Sequence, residues 1–506
     1  MSNIEVSQLV EHLGSARSSL PISNPISGGV IYELPQLSAE QVAEKVKAAR
    51  IAQAEWAETP ISVRSEILYR LHDLILEHQD EFMDVVQLET GKARAHAFEE
   101  VAGSLGAARY YAKIAKKALR PKKTVSGVPL LTKTWVNHVP VGVVGVITPW
   151  NYPLALCTLD VLPALIAGNA VVQKSDNQTT LTALTARKYT IQAGLDPRLW
   201  TIVAGDGAEV GNAITDNVDY VAFTGSANTG RQVGARAANR LIPFSLELGG
   251  KNPLIVLPSA DLEKAADILI GGAFGSAGQL CVSIERAYVP NNEKARFEEI
   301  LKNKVSSLKL GTSSDFSMDI GSLTSPNQLK RVSGFVDDAI QHGAKVIVGG
   351  HPLPEVGPNF YAPTILTNVT DQMKLHRNEV FGPLVSIYGY SDVDEAVKLA
   401  NETREGLNAS VVGDVREATK VAKRIMAGTV NINEGFRATF ASLDTPMGGM
   451  KNSGHGRRNG VDGLLKYTEA QAIGIHRGLL EFPSRGYQYN RMAPLLNLLA
   501  KIMKKL

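Results

Sequence analysis

Cysteine is nearly absent: the chain of 506 residues has only Cys157 and Cys281. Two thiols cannot make a disulfide framework, so a cross-linked secreted scaffold is excluded and a reducing, cytoplasmic setting is expected. Net charge is scarce too. A formal +3 across a chain with 20% charged residues is too little for a nucleic-acid-binding surface. Long apolar runs are missing. The stretch from Val139 to Gln173 carries only Asp160, but Pro140, Pro149, Pro153 and Pro163 interrupt it, so it reads as buried strands and turns rather than a bilayer span. Residues Met1 to Leu13 include Glu5, Glu11 and His12 without an apolar core, so no signal peptide is expected there. No solenoid repeat is found, and no metal site is expected.

What charge there is lies unevenly. From Arg477 to Leu506 there are six basic residues (Arg477, Arg485, Arg491, Lys501, Lys504, Lys505) against Glu481 alone, so the rest of the chain is slightly acidic. Within this tail, Leu495, Leu496, Leu498, Leu499, Ile502, Met503 and Leu506 alternate with lysines over residues 492–506, which predicts a short amphipathic helix. Two fates are open to it: packing on the protein's own surface or a neighbouring subunit, or peripheral contact with a membrane. At this length it cannot span one.

Size and composition predict several domains, at roughly 100–200 residues each, with an ordinary globular core. Residues 38–118 have helical periodicity. Ser62 is a candidate N-cap before Ile67, Leu68, Leu71, Leu74 and Ile75, and Gly91 marks a helix end. After residue 135 short apolar runs alternate with helical stretches: 143–147, 170–172, 200–203 and 220–223. Strands that are apolar on both faces belong to a parallel sheet covered by helices, so a doubly wound α/β unit is expected. A second α/β unit follows from the runs at 253–257, 346–348, 385–388 and 409–412. The segment 132–139 alternates like a solvated strand outside both units.

Parallel sheets bind ligands at the carboxyl ends of their strands. Three polar or glycine-rich segments fall there: Thr148-Pro149-Trp150-Asn151, Lys174-Ser175-Asp176, and Thr224-Gly225-Ser226-Ala227-Asn228-Thr229-Gly230. The last follows a strand and opens a helix, as a pyrophosphate site does, although it is not a GxGxxG. Cys281 stands in the small-residue run Gly275-Ser276-Ala277-Gly278-Gln279-Leu280-Cys281. A lone cysteine there reads equally as a core filler. Glu247, between apolar residues and Leu248-Gly249-Gly250-Lys251, suits a carboxyl of raised pKa acting as a general base, or a hinge carboxylate.

Taken jointly, these blocks resemble the aldehyde dehydrogenase superfamily from about residue 24 to about 470. They are Pro149-Trp150-Asn151-Tyr152-Pro153, Lys174, Phe223-Thr224-Gly225-Ser226, Glu247-Leu248-Gly249-Gly250-Lys251, Gly278-Gln279-x-Cys281, Glu379-Val380-Phe381-Gly382-Pro383 and Pro446-x-Gly448-Gly449-x-Lys451-x-Ser453-Gly454. The run looks most like a succinate-semialdehyde dehydrogenase subgroup. The resemblance implies that Cys281 is the nucleophile, Asn151 the oxyanion donor and Glu247 the activator of the hydrolytic water. That Glu makes release by water, not by coenzyme A, the expectation. It further implies that Trp150, Lys174, Asp176, Asn177, Gly225, Ser226, Glu379 and Phe381 face the coenzyme. Asn177 stands where the family commonly has a Glu hostile to a 2′-phosphate, which favours NADP over NAD, although Asp176 adjoins it.

For substrate, Arg437 is the candidate carboxylate anchor, because the position where related enzymes carry an Arg is Leu159. Leu154, Leu159 and Phe436 would instead suit an apolar aldehyde. A silent structural protein or a membrane-surface aldehyde scavenger are the competing classes. The implied architecture is a cofactor-binding domain (1–118 and 140–246), a catalytic domain (247–445), a bridging oligomerisation element (119–139 and 446–476, with a late strand near 471–476) and the basic tail 477–506. Exposed bridging strands would favour a homodimer or homotetramer.

Overall fold

The computed structural model describes residues 6–14, 16, 18–127, 131–478 and 481–504. The helical region begins at Ala39–Ala57, where Ser38 accepts from the backbone N–H of Gln41 and the Gln41 side chain reaches back to Ser38, a reciprocal cap. The next helix, Ile61–Glu77, starts after Pro60, and Ser62 lies inside its first turn instead of capping it. The Pro60 carbonyl accepts the N–H groups of Val63 and Arg64 at 2.9 and 3.2 Å and opens the helix without a side-chain cap. Gly91 ends the helix Gln79–Thr90 at φ 73°, and Arg94–Ala118 completes the set.

These helices cover a six-stranded sheet. Its order is 454–455, Phe244–Glu247, Tyr220–Thr224, Val143–Thr148, Ala170–Ser175 and Trp200–Val203, all parallel except the antiparallel first pair. The second sheet has seven strands, ordered Lys345–Val348, Thr364–Thr367, Leu384–Tyr390, Ile284–Pro290, Asn252–Val256, Asn408–Val412 and Thr429–Ile432. Only its first pair is antiparallel. The fold is thus two doubly wound α/β units, as expected.

A third, antiparallel sheet joins Thr468–His476, Thr132–Pro140 and Lys122–Thr124. The segment expected with it from residue 446 enters only at Thr468. Before that, Met450–Lys451 pairs with Glu405–Gly406 beside the second sheet, Gly454–His455 pairs with Glu247 and Leu246, and the helix Gly460–Leu465 packs on Arg94–Ala118. Glycine makes this crossing possible: a Cβ at Gly449 would fall 2.3 Å from the backbone of Ser453. Among the described residues no helix is long and apolar enough to cross a membrane. Residues 505–506 of the expected tail helix lie outside the described residues; the helix itself spans Tyr489–Met503.

Candidate active site

A cleft of about 260 Å³ opens where the two sheets meet, lined among others by Trp150, Asn151, Gly225, Ser226, Glu247, Cys281, Glu379 and Phe381. The segment before Cys281 is held in an unusual conformation. Ser276, Ala277 and Gly278 have φ of 50°, 54° and 70°. Only glycine fits the third position, because a Cβ at Gly278 would meet the carbonyl of Gly382 at 2.0 Å. Two non-glycine residues in the left-handed region are tolerated only when surroundings enforce them. Here Gln279 does so, donating to the Ser276 carbonyl at 3.2 Å and accepting from the Thr324 N–H at 3.0 Å. Beyond the turn, Asn252 Nδ2 donates to the carbonyls of Cys281 and Ser283, both at 2.8 Å.

Cys281 is half-buried in the cleft. Burial, reinforced by the negative charges of Glu379 and Glu247, pushes its thiol up to about 12. Cys157 is a core residue, bonded to Gln173 Oε1 at 3.3 Å.

Asn151 is buried, with Nδ2 on the Gln279 carbonyl at 3.0 Å, two residues before the thiol. The Lys92 ammonium donates to the Asn151 carbonyl at 2.7 Å and to Glu100 at 2.5 Å. Glu100 in turn accepts the N–H groups of Leu154 and Ala155 at 2.8 and 3.1 Å, at the start of the helix Pro153–Ile166. Lys92 and Glu100 were not singled out from sequence. The only available signal was a cation directly after a helix-ending glycine.

Glu247 ends a cofactor-sheet strand, and neither carboxyl oxygen has a hydrogen-bond partner among the described residues. Burial raises it to about 7; Arg458 and Lys466 pull the other way. Those two cations converge on Asp160. Arg458 bonds Asp160 and also donates to Thr224 Oγ1 at 2.8 Å, while Lys466 lies 3.0 Å from the carboxylate. Although burial favours the neutral acid, the two cations and the Tyr467 hydroxyl hold Asp160 below the usual carboxylate range.

Glu379 accepts from the Gly250 N–H at 2.9 Å, and a Cβ at Gly249 would fall 2.4 Å from its Oε2. Burial, then the charge of Glu285, raises Glu379 to about 8. Phe381, at φ 60°, meets Trp150 edge-on at 5.5 Å. Its loop is pinned by Glu285, which accepts the N–H groups of Val380 and Phe381 while paired with Lys251 at 2.5 Å.

Ser226 caps the helix Ala227–Asn239 through Thr229 N–H, leaving this helix start open to the cleft. Lys174 is buried at its strand end, where its ammonium donates to the Ser175 carbonyl at 3.2 Å. A buried ammonium bonded only to a carbonyl suits an added anionic or hydroxyl partner. Asp176 caps the Gln178 N–H at 3.0 Å, and Asn177 Oδ1 accepts from Gly205 N–H at 3.3 Å. The residues present therefore fit a dinucleotide: a helix start for phosphate, a buried ammonium, a carboxylate above paired glycines and an aromatic pair.

The family model of the aldehyde dehydrogenase family matches residues 13–473. The chain belongs to the aldehyde dehydrogenase family. It is 50% identical over 463 residues to a Mycobacterium ulcerans protein named a putative succinate-semialdehyde dehydrogenase, NADP(+), covering 91% of this chain and 89% of that one. A similarly named protein of Mycolicibacterium smegmatis is 47% identical over 492 residues, covering 96% and 95%. Among solved structures, Staphylococcus aureus betaine aldehyde dehydrogenase in complex with NAD+ superposes with a TM-score of 0.88 at 31% identity, over 93% and 97% of the two chains. An E. coli NADP-dependent enzyme gives the same TM-score and identity, over 93% and 99%.

In this aldehyde dehydrogenase, Cys281 adjoins an apolar cluster of Tyr152, Leu156, Leu280, Val282, Leu407, Phe436 and Met447. Leu154 and Leu159, expected in the substrate tunnel, belong instead to the main core under the cofactor sheet. Leu156, on the same helix Pro153–Ile166, belongs to the cluster that Cys281 packs against. Arg437 stands at the outer edge, 4.8 Å over the Phe436 ring. Its guanidinium is engaged by Glu99 at 2.8 Å and Glu434 at 3.4 Å.

Proposed function

We propose that this aldehyde dehydrogenase oxidises succinate semialdehyde to succinate with NADP, through covalent attachment to Cys281 and release by water. The observation that carries the mechanism is the convergence of Cys281, Asn151 and Glu247 on one cleft. The resting thiol is protonated, so attack requires a base; Glu247, titrating near 7 on the same wall, takes that proton. The thiolate adds to the aldehyde carbon. The resulting oxyanion accepts from the Asn151 amide and the Cys281 N–H, donors held in place before the reaction. When bound, the nicotinamide coenzyme supplies the acceptor for the hydride that leaves this carbon. Glu247 releases the thiol proton to solvent, then draws a proton from the water that opens the thioester and returns it to the departing Cys281 sulfur, giving the acid and the free thiol.

Lys174 holds the adenosine ribose and its 2′-phosphate, Ser226 and Gly225 the pyrophosphate, Glu379 the nicotinamide ribose, with Trp150 and Phe381 flanking the cleft. The NADP preference is supported by the relatives' names and by Asn177 in place of an acid. Asp176 is also turned to a backbone N–H, not bonded to Lys174. Succinate semialdehyde is supported by the same names and by Arg437 at the rim of the apolar cluster. The cluster itself, and the two carboxylates already on Arg437, favour a second reading, an apolar aldehyde.

An aldehyde panel followed at 340 nm with NAD and NADP, beside Cys281→Ser, tests the whole. Acid production from succinate semialdehyde with NADP, abolished in the variant, is expected. A tenfold or greater preference for NAD would overturn the coenzyme assignment. Faster turnover of medium-chain aldehydes would favour the second reading.

A further inference from the structure

Among the described residues, the helix Tyr489–Met503 packs chiefly on the short turn Gly486–Gln488 before it. Met492, Ala493, Leu496 and Leu499 are half-buried, and Phe482, Pro483, Met492 and Leu495 line a shallow groove at its start. Leu495, Leu498 and Ile502, by contrast, are 38%, 55% and 50% exposed. Spaced i, i+3, i+7, they form one open apolar stripe. Packing on the protein's own surface, one of the two fates open to this segment, therefore does not account for that stripe.

Its charge narrows what could. Arg491 lies on the first turn of the stripe, Lys501 flanks it, and Arg485 and Lys504 bracket the helix. None of the four is ion-paired among the described residues, and Glu481 is the sole acid from 481 to 504. A contact between two copies of this helix would bring these cations together with almost no acid to offset them. An anionic lipid surface supplies the missing charge and, below its headgroups, an apolar layer for the stripe.

We propose that Tyr489–Met503 is an interfacial helix that lies flat on anionic bilayers, with Leu495, Leu498 and Ile502 in the acyl boundary. Arg491 and Lys501, on and beside the stripe, meet the phosphates, their methylene stems reaching up from the apolar layer, while Lys504 on the far face adds its charge to the attraction. The helix lies on the surface and does not cross it.

The test is co-sedimentation of the full-length enzyme with vesicles of phosphatidylcholine alone or mixed equally with phosphatidylglycerol. Binding to the mixed vesicles, little to neutral ones, and release by high salt are expected. Leu498→Glu/Ile502→Glu and Arg491→Glu/Lys501→Glu/Lys504→Glu should each lower partition by at least about tenfold. Aldehyde oxidation in solution should persist in both, since neither touches the cleft, and serves as the check on folding. Equal partition of native enzyme and both variants overturns the proposal. So does a native enzyme that ignores vesicles while Leu498→Glu/Ile502→Glu changes its mass by light scattering, which would assign the stripe to a second copy of the chain.

Discussion

Lys92 Nζ donates at 2.7 Å to the backbone carbonyl of Asn151, and the same ammonium is paired at 2.5 Å with Glu100. Both partners of the ion pair are fully buried. Glu100 carries the pull onward to the first turn of the helix that follows Asn151. One cation thus sets the backbone from which the oxyanion donor projects. Lys92→Met is expected to cut kcat by about 10- to 100-fold with a smaller change in KM, because a donor is displaced rather than removed. It should also cost about 3–5 kcal/mol of stability by stranding the Glu100 charge. The double variant Lys92→Met/Glu100→Gln should recover stability in a thermal melt without recovering kcat.

Asn151→Ala deletes the donor itself. Its kcat should fall by about 100- to 1,000-fold. Thiol reactivity of Cys281 toward iodoacetamide should stay near the native rate, separating loss of oxyanion binding from loss of the nucleophile.

Acid formation should depend on pH through Glu247. A carboxyl raised to about 7 is a base only when ionised, so kcat should fall tenfold per pH unit below about 7 and level off above it. Glu247→Gln should remove that inflection and depress both the first turnover of reduced coenzyme and the steady-state rate. An unchanged steady-state rate in this variant would transfer the base role elsewhere.

Arg437 is already neutralised by Glu99 and Glu434. If it anchors a substrate carboxylate, Glu99→Gln should free it and lower KM for succinate semialdehyde several-fold while leaving a neutral aldehyde unaffected. Arg437→Ala should raise the first KM by about tenfold or more, the loss of one charge-assisted contact. Unchanged kcat/KM in both variants would leave the apolar aldehyde as the substrate class.

The parts of the fold visible in the sequence were those with one dominant signal. Val143–Thr148 and Tyr220–Thr224 are apolar on both faces and announce a parallel sheet. Ile284–Pro290, central in the second sheet, was not visible, because Glu285 and Arg286 interrupt its apolar pattern. Those charges are buried only because Lys251 pairs with Glu285, and Arg286 is bound by the carbonyls of Lys251 and Ala400. Such compensation comes from residues distant in the chain. Cys281, Glu247 and Asn151 were legible as a set through spacing shared with a family, and the cleft brings them together. Leu159, the position where related enzymes carry an Arg, lies in the main core. Arg437 was found, but its two acidic partners, one of them 338 residues away, were not.

The burial of the Cys281 thiol has a consequence for damage. Peroxide attacks the thiolate, so a thiol held protonated up to about 12 should oxidise slowly at rest. Once a sulfenic acid does form, it has no thiol to condense with. Ser283 occupies the nearby position, donating to the Ala273 carbonyl at 3.1 Å, and Cys157 is sealed in the main core. Without that reversible refuge, continued oxidant should carry Cys281 on to the sulfinic acid. Inactivation would then be slow to begin, irreversible once complete, and prevented only by reductant supplied from outside the chain.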